Sequence, residues 1–318
     1  MITKNLEDFK KFIPVEPSFR EDGFEKLTSF LENVYKNTLC KYIGKEQAQI
    51  FNQYSGNSEI IKEAILYAKQ TETNLAIYEY LPLGAIQITS GGINIVAPKD
   101  QKSAASSDIR DVQRYYKRTG LKALDNLLQV LEENETEFTA WKSSKQYTKF
   151  KKLLVNSTQD FQEHYNIFDS RQTFLSLTNE LETVEYQYLI PVLGKPVLQT
   201  LKTSEIQNDI VKEVKDYVSK ANVFYVVSKT LGSGLYFQES TGFQLRFDLL
   251  DYERNFGSKE RLNSFIEDQR KDKRDEAYNF LKMAKKLIQE NPDVFKSYTP
   301  NTQKISSPFI NGKGIVAI

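Results

Sequence analysis

Apolar residues recur along most of this chain three or four apart, the spacing of helices with one buried face. Leu177, Leu181, Val184, Tyr188 and Leu189 outline one such helix, and Pro191 and Gly194 stop it. Shifted back by 150 positions the helix returns as Leu27, Leu31, Val34 and Leu39, with Gly44 opposite Gly194. The match runs without a gap from 24–95 to 174–245, with 18 identities in 72 pairs, among them Ile60, Lys62, Glu63 and Tyr67 with Ile210, Lys212, Glu213 and Tyr217. This is internal duplication.

The same pattern predicts the elements in order. Asn5 caps a short helix over 6–12, and Asp160-Phe161 answers Asp8-Phe9 at the slightly larger offset of 152. A long helix over 22–43 ends at Gly44, read with Gly194 as a left-handed C-cap, and a short helix follows over 45–53. Ser58 caps a second long helix over 59–81, whose counterpart is 205–231; there the strand-favouring run 223–227 is read as helix because its first copy is. Further helices lie over 109–134 and 266–291, the second pair at an offset of 157.

Between the long helices the period changes to alternation. Ile86, Ile88, Ile93 and Ile95 line one side of a hairpin over 85–96, and Tyr236 and Phe243 belong to its counterpart over 234–247. Two strands alone are barely stable, so such a face packs on its own helices or on a neighbouring subunit. The predicted fold is mainly α: tandem helical repeats at 1–155 and 156–298, each with one hairpin, then an extended tail at 299–318. In that tail Phe309, Ile310, Ile315, Val316 and Ile318 have no helix or hairpin to bury them, so they dock on the chain's own second repeat or on a partner.

Composition narrows the class without naming a function. Over 318 residues, 40% hydrophobic and 27% charged, the chain is of soluble globular type. A net charge of +1 gives no general pull toward nucleic acid or acidic membrane. The single cysteine, Cys40, excludes an intrachain disulfide; no apolar leader or spanning run is evident, so a cytoplasmic origin is expected. His164 has no metal-ligand companions at a recognised spacing, and Cys40 has no histidine nearby, so packing is the reading for both. The glycines of 231–237 join a helix to a hairpin, the wrong setting for a phosphate loop. The pairs Glu132-Glu133 and Glu180/Glu182 read as solvated helix surface, and the cluster 270–274 as a salt-bridged face. No catalytic, metal or cofactor site is predicted.

Four motifs carry a resemblance: Phe12–Val15 (FIPV), Leu81–Gln87 (LPLGAIQ), Ala123–Trp141 (ALDNLLQVLEENETEFTAW) and Tyr188–Gly194 (YLIPVLG). Across roughly 5–298 the chain resembles the head–tail connector-like proteins of Bacteroidetes phages and prophages, of the crAss-like phage ring protein type. Lys41 departs from the pattern, standing where the second copy has Pro191. The resemblance implies a virion structural protein of the neck: a homo-oligomeric ring, of twelve copies, contacting the portal and other connector or tail proteins. It implies no catalytic residues, no cofactor and no membrane, and DNA that at most passes through. The runner-up is a cytoplasmic helical-repeat adaptor or scaffold, which would show the same duplication; a DNA-binding accessory protein comes third, favoured only by the basic clusters at 149–152 and 270–274.

Overall fold

The computed structural model describes residues 1–14, 21–84, 86–89, 92–95, 105–203, 207–233, 236–239, 242–245 and 259–299. The chain divides into two compact units, Met1–Lys149 with Ser170–Gln172, and Phe150–Asp169 with Thr173–Ile318. Residues 150–155 thus belong with the second unit, not the first. Helices dominate both. The first carries α1 (Leu6–Lys10), α2 (Glu21–Val34), α3 (Cys40–Ile43), α4 (Lys45–Gln53), α5 (Glu59–Gly84) and α6 (Ser106–Glu133), followed in the chain by α7 (Thr139–Lys142) and α8 (Lys145–Phe150). The second carries α9 (Thr158–Gln162), α10 (Arg171–Val184), α11 (Ile190–Leu193), α12 (Lys195–Leu201), α13 (Asp209–Ser233) and α14 (Lys259–Glu290). Short antiparallel segments follow α5 and α13: β1 (Ile86–Thr89) with β2 (Gly92–Ile95), and β3 (Tyr236–Glu239) with β4 (Gly242–Leu245).

The duplication holds at the level of single contacts. Asn5 accepts from the Asp8 N–H at 2.9 Å, and Ser157 from the Asp160 N–H at 3.0 Å. These caps aim Phe9 and Phe161 inward, where they meet Phe24 and Phe174 edge to face, at 5.8 and 6.4 Å between centroids. In the first unit Phe9, Leu27, Leu31, Val34 and Leu75 join one apolar cluster, the buried face that the 3.6-residue period predicts.

The long amphipathic helices are interrupted in a way their spacing conceals. Tyr35–Leu39 and Glu185–Leu189 form π-helical turns between α2 and α3 and between α10 and α11. The N–H of Cys40 reaches the Tyr35 carbonyl, and that of Ile190 the Glu185 carbonyl, five residues back in each case. Pro191, which has no N–H to donate, sits just beyond the second turn. Lys41 holds the same place in the first unit, so the π turn does not depend on proline.

Gly44 and Gly194 correct the expected cap. Their φ values are positive, 84° and 82°, but ψ is 148° and 149°, far from the left-handed helical well. Each residue is a one-residue joint, ending α3 or α11 and starting α4 or α12. That conformation is nearly exclusive to glycine.

α5 packs against α6, and α13 against α14. α5 runs on through Pro82 to Gly84, past the predicted end at 81. A proline at 82 leaves the Tyr78 carbonyl without its helical donor. Gln113 of α6 supplies one, its Nε2 3.2 Å from that oxygen. α13 begins at Asp209 instead of 205, because the Asn208 side chain accepts from the N–H groups of Ile210 (2.9 Å) and Val211 (3.3 Å). The 223–227 run is helical, with Val223 and Val226 fully buried.

Candidate functional site

The expected contact residues fall in two groups. Ile86 lies opposite Ile95 and Ile88 opposite Ile93, while Tyr236 faces Leu245 and Phe243 faces Gln238; these are backbone registers. Phe309, Ile310, Ile315, Val316 and Ile318 lie outside the described residues, so the expectation for the tail has no counterpart here.

What the interior does show is a buried carboxylate in each unit, gripping the backbone that leads into it. In the first unit Glu72 of α5 is fully buried. It accepts from the Ile2 N–H (2.9 and 3.1 Å to its two oxygens) and from the Thr3 N–H (2.6 Å). In the second, Glu185 opens the π turn and accepts from the Leu154 N–H at 2.6 Å and from Lys202 Nζ at 2.5 Å. Leu154 follows Ile2 by the 152-residue offset of the entry segments, so the same stretch is held twice. The carboxylate comes from different places, however. Opposite Glu72 stands Asn222, fully buried, with neither carboxamide atom hydrogen-bonded among the described residues; opposite Glu185 stands Tyr35. Burial raises the pKa of both Glu72 and Glu185 against the hydrogen bonds that lower it. Burial, the neighbouring Cys40 and the charge of Glu72 push the Tyr35 hydroxyl up to about 12.

These anchors were not predicted. Asn222, at the head of the apolar run 223–227, gives a signal in the sequence, whereas Glu72 lies within the polar run 69–74 and gives none. Glu132 was misread as well: it is half-buried, 3.3 Å from Arg171, whereas Glu133 is exposed. Glu180 pairs with Lys229 at 3.0 Å.

The reactive side chains are held quiet. Burial raises the Cys40 pKa, keeping it a thiol at neutral pH. His164 lines a cavity of about 320 Å³ in the second unit with Asp160, Glu163, Lys212, Lys215 and Asp216. Burial lowers its pKa, so the imidazole is neutral at pH 7. Two of the flanking charges already have partners, Lys212 with Asp209 at 2.9 Å and Asp216 with Lys220 at 2.6 Å. Among the described residues no group of His, Cys, Asp and Glu is placed to hold a metal ion. The 270–274 cluster is a paired helix face: Arg270 meets Glu267 at 2.5 Å and Lys273 meets Glu276 at 3.1 Å. No helix of the described residues is long and apolar enough to cross a membrane.

The surface is where the units part. Large apolar side chains stand exposed at Leu66, Val112 and Tyr115 in the first unit and at Phe168, Tyr186 and Phe265 in the second. In the duplicated sequence Leu66 faces Asp216 and Tyr186 faces Lys36; at the 157 offset Tyr115 faces Asp272 and Phe265 faces Asp108. At these four positions an apolar group displayed by one unit is replaced by a charge in the other; Val112 faces the polar Gln269.

A model of one family, described as a family of unknown function (DUF6712), matches this chain twice, over residues 24–151 and 175–308. Its two matches start within a residue of the internal alignment. No curated protein matches the chain, and no solved structure does.

Proposed function

Since both of its units match, the chain belongs to DUF6712, a family of unknown function, and we propose that it acts through its surfaces, as a virion structural protein forming a head–tail connector ring. The observation that carries the proposal is the contrast just described. One interior is built twice, while exposed apolar residues occur at positions that do not correspond. A chain whose units share a core but present different faces suits an assembly in which each unit meets a different neighbour. The motifs at Leu81–Gln87, Ala123–Trp141 and Tyr188–Gly194, which resemble those of connector-like phage proteins, give that assembly its setting between portal and tail. The hairpins after α5 and α13, and the apolar tail with Phe309 and Ile315, add contacts to copies or partners in this reading. DNA is at most a passenger through the ring, and no reaction is assigned.

Native mass spectrometry of the purified chain, with negative-stain images of the same sample, tests the proposal. A single closed multiple of the chain mass, seen as rings, is expected. A monomer at all concentrations, or an open distribution of sizes, removes the ring and leaves an adaptor. Tight binding to duplex DNA that weakens steeply with salt moves the reading to a DNA-binding protein.

A further inference from the structure

Phe168 is 88% exposed, the most exposed of the large apolar side chains described, and the backbone holds it there under strain. Its φ is +55° and that of Asp169 +52°, two successive left-handed residues that are not glycine. Left-handed backbone costs an ordinary side chain energy and persists only where its surroundings impose it. Here the surroundings are explicit. Gln162 Oε1 accepts from the N–H groups of Ile167 (2.9 Å) and Asp169 (3.0 Å). Its Nε2 donates to Asn166 Oδ1 at 2.9 Å, and that oxygen accepts from the Phe168 N–H at 2.8 Å. The chain also has less length to turn in: Phe161 and Phe174 are 13 positions apart, against 15 between their counterparts Phe9 and Phe24. A clamped loop thus presents a ring to water, with its ordering already complete before any partner arrives.

A second exposed apolar pair lies on α6. Val112 (43% exposed) and Tyr115 (52%) are neighbours on one face of that helix, three residues apart. The Tyr115 ring is steadied edge to face against the buried Tyr116, 5.4 Å away. Charge agrees in sign. The segment 158–169 around Phe168 has Asp160, Glu163 and Asp169 and neither lysine nor arginine, and its histidine is neutral at pH 7. The segment 110–122 around Tyr115 has Arg110, Arg114, Lys117, Arg118 and Lys122 against the single Asp111. Among the described residues the Phe168 loop has no counterpart in the first unit, and the positions equivalent to Val112 and Tyr115 are Gln269 and Asp272.

We infer that Phe168 of one copy seats on the Val112–Tyr115 face of a second copy, a head-to-tail contact that repeats from copy to copy. This rests on the self-assembly proposed above and specifies its contact.

Full-length protein is compared with Phe168→Asn by sedimentation velocity over a concentration series. Asparagine tolerates the left-handed backbone and removes the ring, so helix content stays and self-association weakens by about tenfold or more. In a Cys40→Ser background, chains carrying Phe168→Cys are mixed with chains carrying Tyr115→Cys. Disulfide-linked dimers are expected in the mixture and in neither sample alone. If Phe168→Asn assembles like the parent, or cross-links form only between identical chains, the contact is wrong while the assembly stands. If the parent protein is monomeric throughout, the second copy is excluded as the occupant and the ring proposal falls with it.

Discussion

Both units hold their entry segment by a buried carboxylate, yet they do so from positions that do not correspond. In the first, Glu72 reaches from the long helix while Tyr35 occupies the π turn; in the second, Glu185 reaches from the π turn while Asn222 occupies the long helix. The cation moves too. Lys202, on the residue equivalent to Asn52, reaches the Lys152 carbonyl at 2.9 Å, whereas Lys4 of the entry segment reaches the Asn52 carbonyl at 2.6 Å. What the duplication kept is the requirement that buried N–H groups find an acceptor, not the residue that meets it. Asn222, with no hydrogen-bond partner among the described residues, stands where the other unit keeps its carboxylate.

Exchange of the anchor is the sharpest way to break this comparison. Glu185→Tyr takes the acceptor from the Leu154 N–H and the counter-charge from Lys202, which keeps the Lys152 carbonyl, and about 3–5 kcal/mol of stability should be lost by urea unfolding. Adding Asn222→Glu to the same chain recreates the first unit's arrangement and should recover a good part of that loss. A double variant no better than the single would show that the two positions cannot stand in for one another.

The glycine joints come next. Gly44→Val and Gly194→Val should each cost about 1–3 kcal/mol, because φ near +83° with ψ near +148° is closed to a β-branched residue. Asparagine, which tolerates the left-handed helical well, should rescue neither; a rescue would mean that the joints relax into that well. A smaller difference separates the two sites. A Cβ on Gly44 meets the Ser144 Cβ at 3.1 Å, whereas on Gly194 the nearest neighbour is Pro196 Cδ at 3.8 Å. Gly44→Ala should therefore be the more costly alanine by up to about 1 kcal/mol, read from paired melting curves.

The smallest effect is a pH dependence. Burial holds the Glu185 pKa above its ordinary 4.5, so the folded protein keeps this proton more readily than the unfolded chain does. Its contribution is greatest below 4.5 and is lost as pH rises through the raised value. The stability of the parent relative to Glu185→Gln should therefore improve as pH falls from 7 to 4.5. A gap that is constant across that range would show that Glu185 titrates as it does in the unfolded chain.

The order of the elements was legible because apolar spacing reports which face of a helix is buried, and because two copies allow each to correct the other. The 223–227 run shows the gain: its β-branched residues argue for a strand, while its first copy and the length of the segment argue for helix. The caps at Asn5 and Ser58 were legible for a local reason, the reach of a short side chain to the next turn. The polar interior was not. Glu72 and Glu185 act on residues 70 and 31 positions away, pairings that spacing along one helix does not encode. The Gly44 and Gly194 joints were half legible, since glycine announces a positive φ and says nothing of ψ. Phe168 was invisible for the same reason, its exposure being a matter of backbone strain in a turn two residues short.

The π turns have a consequence for how these helices can change length. From Leu27 the buried residues follow at 31 and 34, then at 39 and 43; in the second copy 181 and 184 are followed by 189 and 193. The step of five in each series would rotate an α-helix out of register with its own core by more than a quarter turn. The wide turn absorbs that rotation, so the buried stripe stays in phase on both sides. Loss of one residue between 34 and 39, or between 184 and 189, turns the step of five into a step of four, the spacing an α-helix prefers. At any other point in α2 or α10 the same loss swings the remainder of the helix by about 100° and turns its apolar side to water. Each π turn is therefore a spare residue stored in the helix, the one place where the chain can shorten without the core losing its footing.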